Sequence, residues 1–152
     1  IFVAYVLASI ARGFLVGAGI YLVILIFFDM PLQSLSWVFI FALIGNGFLG
    51  VLGVIAAIWA EKFDQLAAFQ NFVILPLTFL SGVFYTIHSL PPFWEGLSRF
   101  NPFFYVIDGF RYGFFGISDV SPYFSFMIVG ICFLAVSWVT LRMLKTGYKL
   151  RQ

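Results

Sequence analysis

"LPPFWEGLSRFNPFFYVIDGFR", residues 90–111, lies between two apolar stretches and decides how this chain is arranged. It carries Pro91 and Pro92 side by side, Asn101-Pro102, four charged residues and a run of aromatics. Leu90-Pro91-Pro92 stops whatever precedes it and opens a helix, because proline is tolerated in a first turn. Apolar residues at 93, 94, 97 and 100 then share one helical face, with Glu95, Ser98 and Arg99 opposite. Glu95 and Arg99 stand at i and i+4 with the acid first, the favourable order for a pair. Asn101-Pro102 breaks the chain, since a residue before proline avoids helical geometry. A second short helix is expected from Pro102 to Phe115, with Asp108 and Arg111 at i and i+3. Neither piece can cross a bilayer alone. The hairpin of residues 90–117 therefore either dips into the membrane under cover of protein or lies flat as an aromatic belt.

The rest of the chain sets that choice in a membrane. Of 152 residues, 63% are hydrophobic, 22% aromatic and only 9% charged. A water-soluble domain carries about 25% charged residues, so this surface is built to face lipid. The expected class is all-α, a polytopic helical membrane protein. A hydrocarbon core of about 30 Å needs roughly 20 apolar residues in helix. Four segments meet that need, at about 11–28, with residues 1–10 feeding into it as a further apolar stretch, and at about 35–59, 66–87 and 121–141. The loops between the first three are short, so a single membrane domain is expected over residues 1–152.

Basic residues orient the spans. Arg12 precedes the first, Lys62 separates the second and third, and Arg142, Lys145, Lys149 and Arg151 follow the fourth. Alternating spans bring these to one side, which places the C-terminus in the cytoplasm. Arg99 and Arg111 fall on the other side, both within the hairpin. The charged turn Glu61, Lys62 and Asp64 is cytoplasmic on this plan and reads equally as a partner contact or a solvated turn.

Inside the spans, Gly13 and Gly17 form a G-x-x-x-G, and Gly45, Gly47, Gly50 and Gly53 crowd the second span. Small residues let helix backbones approach closely in lipid, with packing inside one subunit as the default. Asn46 is read as an interhelical hydrogen-bonding residue or as part of a substrate path. Pro76 is expected to kink the third span, with Thr78 and Ser81 bonding nearby carbonyls, and Gly82 to weaken its end. No mid-span acid or base is read in any of the four segments. One His and the single Cys132 make no zinc site, and no phosphate-loop motif is present.

The stretch "LPLTFLSGVFYTIHSLPPFWEGLSRFNPFFYVIDGFRYGFFG", residues 75–116, resembles the signature region of the ABC-2 family of ATP-binding-cassette exporter permeases. The elements are Leu75-Pro76, Ser81-Gly82, Leu90-Pro91, Asn101-Pro102 and Asp108 followed by Arg111, and it is their combination that is specific. "GFRYGFFGISDV" is similar to the bacterial inner-membrane branch that includes polysaccharide, nodulation-factor and drug exporters. The resemblance implies six spans, of which these are the third to sixth, with an amino-terminal part not included here. It implies a bacterial inner-membrane location, and a permease dimer, a homodimer by expectation, working with a separate ATPase subunit that binds ATP and Mg. It implies no cofactor on this chain, and lipid but no nucleic acid as a further partner. It also favours a re-entrant hairpin, with Pro91, Glu95, Arg99, Asn101, Pro102, Asp108 and Arg111 as an outer gate. Asn46, Phe103 and Tyr105 are the candidates for a translocation path, and Glu61, Lys62 and Asp64 for an ATPase-facing loop. The rival expectations are an ATP-independent transporter or channel, and a non-transporting scaffold.

Overall fold

The computed structural model describes residues 2–29 and 32–147; Met30, Pro31, Lys149 and Arg151 lie outside them. Every regular element among them is helical: α1 (Phe2–Phe27), α2 (Leu35–Trp59), α3 (Phe63–Phe69), α4 (Leu75–Phe79), α5 (Pro92–Arg99), α6 (Pro102–Phe115) and α7 (Pro122–Lys145). A π-helical turn, Gln70–Ile74, joins α3 to α4, and a 3₁₀ turn, Ile87–Ser89, precedes α5. Three helices, α1, α2 and α7, are long and apolar enough to cross a membrane.

The core forms where α2, α6 and α7 meet, around Phe41, Ile44, Phe104, Tyr105, Val106 and Val129. Glycine makes the α2–α6 crossing close. A Cβ on Gly45 would lie 2.7 Å from Cγ1 of Val106, and one on Gly113 would lie 2.6 Å from Cγ2 and 2.9 Å from the amide nitrogen of Val38. The two helices run antiparallel in a register set at both ends of α6. Its start meets α2 through the rings of Phe103 and Phe48, 5.8 Å apart. At its end the carbonyls of Gly113 and Phe114 accept from the amides of Ser34 and Gln33, at 2.9 and 3.1 Å. Phe48 lies about 20 Å along α2 from Leu35 at about 1.5 Å per residue. Helix α6 therefore occupies the Leu35 half of the α2 length. Its C-terminus turns at Gly116, whose φ of 70° suits glycine.

Helix α1 packs mainly on α2, and the Tyr21 ring also meets Phe114 of α6 at 5.8 Å. Ser9 Oγ donates to the Asn46 carbonyl at 3.2 Å, and the Asn46 side chain rests on the Gly13 backbone. A Cβ on Gly50 would meet that of Ser9 at 2.7 Å. These contacts confirm close helix approach within one chain, while Gly17 and Gly53 face open space. Aromatic groups mark the ends. Trp37 stacks on Phe41 and meets Tyr112 and Tyr123 edge-on near one end; at the other, the Arg142 guanidinium lies 4.1 Å over the Trp138 ring.

Helix α1 begins at Phe2, so the apolar stretch ahead of residue 11 is continuous with the first expected segment and Arg12 lies within the helix. Arginine has good helix propensity, so one charge in an apolar run does not stop a helix. The third expected segment, 66–87, is helical only from residue 63 to 79, in three pieces. Gly82 adopts a φ of 78°, a left-handed conformation that turns the chain away before Ile87. The break expected at Pro76 is present in another form. Pro76 lacks the N–H that Phe72 would receive, and the preceding π-helical turn instead pairs the Leu75 amide with the Gln70 carbonyl.

Gly113→Ala is expected to destabilise the protein by about 1–3 kcal/mol, because the Val38 backbone cannot move aside. Gly19→Ala, with nothing within 4 Å of the new Cβ, is expected to be neutral or mildly stabilising. Thermal unfolding of the purified protein in detergent compares the two.

Candidate functional site

Helix α4 ends at Phe79, and its last carbonyls need partners. The Pro76 carbonyl accepts from Leu80 N at 3.0 Å. The Leu77 carbonyl would receive Ser81 N in a continuing helix, but that amide turns to Thr78 at 3.2 Å. Asn101 fills the vacancy, its Nδ2 donating to the Leu77 carbonyl at 2.6 Å. The same side chain accepts from Phe103 N through Oδ1 at 3.0 Å and so caps α6. Tyr85 Oη donates to the Phe79 carbonyl at 2.7 Å. Thr78 Oγ1 donates to Ile74 and Ser81 Oγ to Thr78, the local roles expected of them.

Arg111 closes the remainder. Its Nη2 donates to the Gly82 carbonyl at 2.6 Å and reaches that of Tyr85 at 3.5 Å, while Nη1 pairs with Asp119 Oδ2 at 3.1 Å. Asp108 stands 4.0 Å from Arg111, but its carboxylate chiefly accepts the amides of Asp119 and Val120, at 2.7 and 3.1 Å. Asp108 is 1% exposed. The 108–111 spacing thus brings the two together, yet each has a stronger partner. Asp108 holds the turn before α7, and Arg111 ties the α4 end to Asp119. Asp119 was not foreseen, because it follows the Gly116 turn and shares no helical period with Arg111. Gly109 and Gly113 were also passed over, although their spacing is itself a G-x-x-x-G; the Gly109 Cα faces the Phe41 ring.

The Glu95–Arg99 pair forms as expected, at 2.7 Å on an exposed face. Pro91 precedes α5 in extended geometry, Pro92 opens it and Pro102 opens α6. Phe93, Trp94 and Leu97 are exposed, as is Phe100, at 89%. Phe103 and Tyr105, the candidates for a path, are buried in this structure. Phe103 packs on Phe48, and Tyr105 lies between Phe104 and Phe124 with its hydroxyl donating to the Arg99 carbonyl at 2.8 Å. Asn46 borders an apolar cavity of about 600 Å³ between α1, α2 and α6. Glu61, Lys62 and Asp64 are exposed at the start of α3, where the Glu61 amide donates to Gln65 Oε1 at 2.7 Å. Among the described residues, no cluster of His, Cys, Asp or Glu could hold a metal ion.

The model of ABC-2 type transporters matches residues 1–115. The chain belongs to the ABC-2 type transporter family. It is 39% identical over 153 aligned residues to the inner membrane transport permease YadH of Escherichia coli K12, and equally so to that of Shigella flexneri. The match covers 99% of this chain and 59% of each relative, so the chain spans about three-fifths of the length of the curated relatives it matches. No solved structure matches. This family member is a multi-pass helical membrane protein, with helices α5 and α6 inside the matched region.

Asn101→Ser keeps the oxygen that caps α6 but, being shorter, frees the Leu77 carbonyl; a loss of about 1–3 kcal/mol is expected. Asn101→Ala loses both bonds and is expected to cost more. Denaturant unfolding orders the two variants. Exchanging Asp108 and Arg111 is expected to give no recovery, because an arginine at 108 would face two amide donors in a buried site. Hydrogen exchange in residues 117–120 would then rise in the exchanged variant as in either single variant.

Proposed function

We propose that this chain is the transmembrane part of an ABC-2 permease that exports its substrate across the bacterial inner membrane, driven by ATP hydrolysed on a separate ATPase subunit. The single observation that carries this reading is the family match over the whole helical body up to Phe115, together with relatives that are inner membrane transport permeases. Lys62, Arg142 and Lys145 gather at the Trp59 end of the bundle, so the positive-inside rule supports a cytoplasmic C-terminus. The working assembly is two permease copies in lipid with two ATPase subunits, which supply the ATP and Mg sites. Glu61, Lys62 and Asp64 are then cytoplasmic and available to the ATPase.

The α5–α6 hairpin is proposed to be re-entrant. The register supports it, since Asn101-Pro102 reaches the level of Phe48 and α6 returns along α2 from there. Within this reading Pro91, Glu95, Arg99, Asn101, Pro102, Asp108 and Arg111 form the outer gate, with Pro76 and Gly82 as its break and turn. Asn46 borders the translocation path, joined by Phe103 and Tyr105 when the buried contacts of α6 open. The substrates proposed are glycans, lipid-linked compounds or hydrophobic molecules.

An ATP-independent secondary transporter is the second reading, and the place of Arg12 inside α1 bears on it, since coupling ions need ionisable groups within the membrane. Arginine does not deprotonate in proteins, so Arg12 cannot serve as a proton relay, and the buried Asp108 carboxylate is engaged by the amides of Asp119 and Val120; the ATP-driven reading is preferred. Purifying the intact permease from its native membrane decides between them. A separate ATPase should accompany it and hydrolyse ATP; recovery of an active transporter with no ATPase would refute the proposal. Arg111→Ala should retain the ATPase while lowering transport in vesicles at least tenfold.

A further inference from the structure

Arg111 divides its contacts between two parts of the chain that lie far apart in sequence. Its Nη2 donates to the Gly82 carbonyl at 2.6 Å and reaches that of Tyr85 at 3.5 Å, both in the segment after α4. Its Nη1 faces two carboxylates, with Asp119 Oδ2 at 3.1 Å and Asp108 Oδ1 at 4.0 Å. A guanidinium presents its donors in a fixed planar fork, so one edge serves the carbonyls while another serves the acids. The two edges are not equal. Nη1 faces negative charge and Nη2 faces neutral oxygens, so the acids hold the cation more firmly than the carbonyls do. The acids are fixed in turn. The Asp108 carboxylate accepts the amides of Asp119 and Val120 at 2.7 and 3.1 Å, which sets the turn carrying Asp119 against α6.

The segment that Arg111 holds is bonded mostly to itself. Tyr85 Oη donates to the Phe79 carbonyl at 2.7 Å, and the Ser89 amide and hydroxyl both donate to the Thr86 carbonyl, at 3.0 and 2.7 Å. These bonds survive if the segment moves as a unit. Asn101 grips the Leu77 carbonyl just before it, and Gly82, with its φ of 78°, reverses the chain there, so the pivot lies between them. On the far side His88 stands 4.0 Å from Glu95, whose nearer partner is Arg99 at 2.7 Å. We infer that Arg111 is a clasp with two positions. In the one seen here it holds the Gly82 and Tyr85 carbonyls. In the other it lets them go and closes on Asp108 and Asp119 together, so the segment swings away while the cation keeps its charge partners. Asp119, beyond the residues matched to the family, is then a positioning residue, the counter-charge common to both positions. The inference rests on the permease reading only in tying release to transport; the two positions themselves need no nucleotide.

The test uses the intact permease carrying Cys132→Ser, with spin labels at residues 84 and 117 on either side of the clasp, read by pulsed dipolar spectroscopy. Without nucleotide the parent protein should give one narrow distance. Arg111→Lys keeps the charge but replaces the fork by a point donor, so it should stay with the two acids and release the segment. Most of its population should move to a second distance, longer by about 5 Å, the scale of a discrete step between packed elements. The parent protein trapped with ATP on its ATPase should populate that same distance, which gives a second route if Arg111→Lys does not fold. The parent distance alone in Arg111→Lys, or a broad distribution no different from that of Arg111→Ala, would overturn the clasp. An unchanged single distance in a sample that hydrolyses ATP would overturn it too, with the permease reading intact. A sample without any ATPase, in which Arg111→Lys still shows the second distance, would overturn the permease reading alone.

Discussion

The carbonyl end of α4 is the constraint on which the rest of this structure turns. A helix that stops leaves its last backbone oxygens in need of partners, and an unmet buried one costs about 1–3 kcal/mol. Here the oxygens of Leu77, Gly82 and Tyr85 are met by two side chains of the following hairpin, Asn101 and Arg111. Asn101 also caps α6, and Arg111 also reaches Asp119 ahead of α7. Each polar residue therefore joins two elements, so the hairpin is placed by the way the helix before it ends.

That closure matters because little else holds α3 and α4. None of the residues in α3, the π-helical turn or α4 is buried. By contrast α6 is seated on α2 through glycine contacts and through the bonds of Ser34 and Gln33 to its last carbonyls. The molecule divides into a well-packed body of α2, α6 and α7 and a thinly attached arm from residue 63 to 79, fastened at its far end by side-chain-to-backbone bonds.

Much of this was legible in the residues. Helix α2 occupies Leu35–Trp59 and α6 occupies Pro102–Phe115, as read, because unbroken apolar sequence defines one and Asn101-Pro102 with Gly116 brackets the other. The Glu95–Arg99 pair followed from spacing alone. The segment expected over 66–87 ends early, because Gly82 adopts a positive φ and stops the helix rather than merely weakening it. The partnership of Arg111 with Asp119 was invisible because it crosses a left-handed turn, and periodicity speaks only within one helix. The G-x-x-x-G of Gly109 and Gly113 lies inside an aromatic segment, and its role shows only in the approach of Phe41 and Val38.

The central claim is that the tip of the hairpin, at Phe100 and Asn101, lies deep within the membrane while the end of α6 lies at its surface. Spin labels at residue 100 and at residue 115, introduced singly into the intact permease in which Cys132 is replaced by Ser, report depth through relaxation by oxygen against a water-soluble nickel complex. The label at 100 should be dominated by oxygen and lie about 10 Å or more deeper than the label at 115, given the roughly 20 Å length of α6. Equal depth for the two labels, with both open to nickel, would mean that the hairpin lies flat on the surface and would contradict the account.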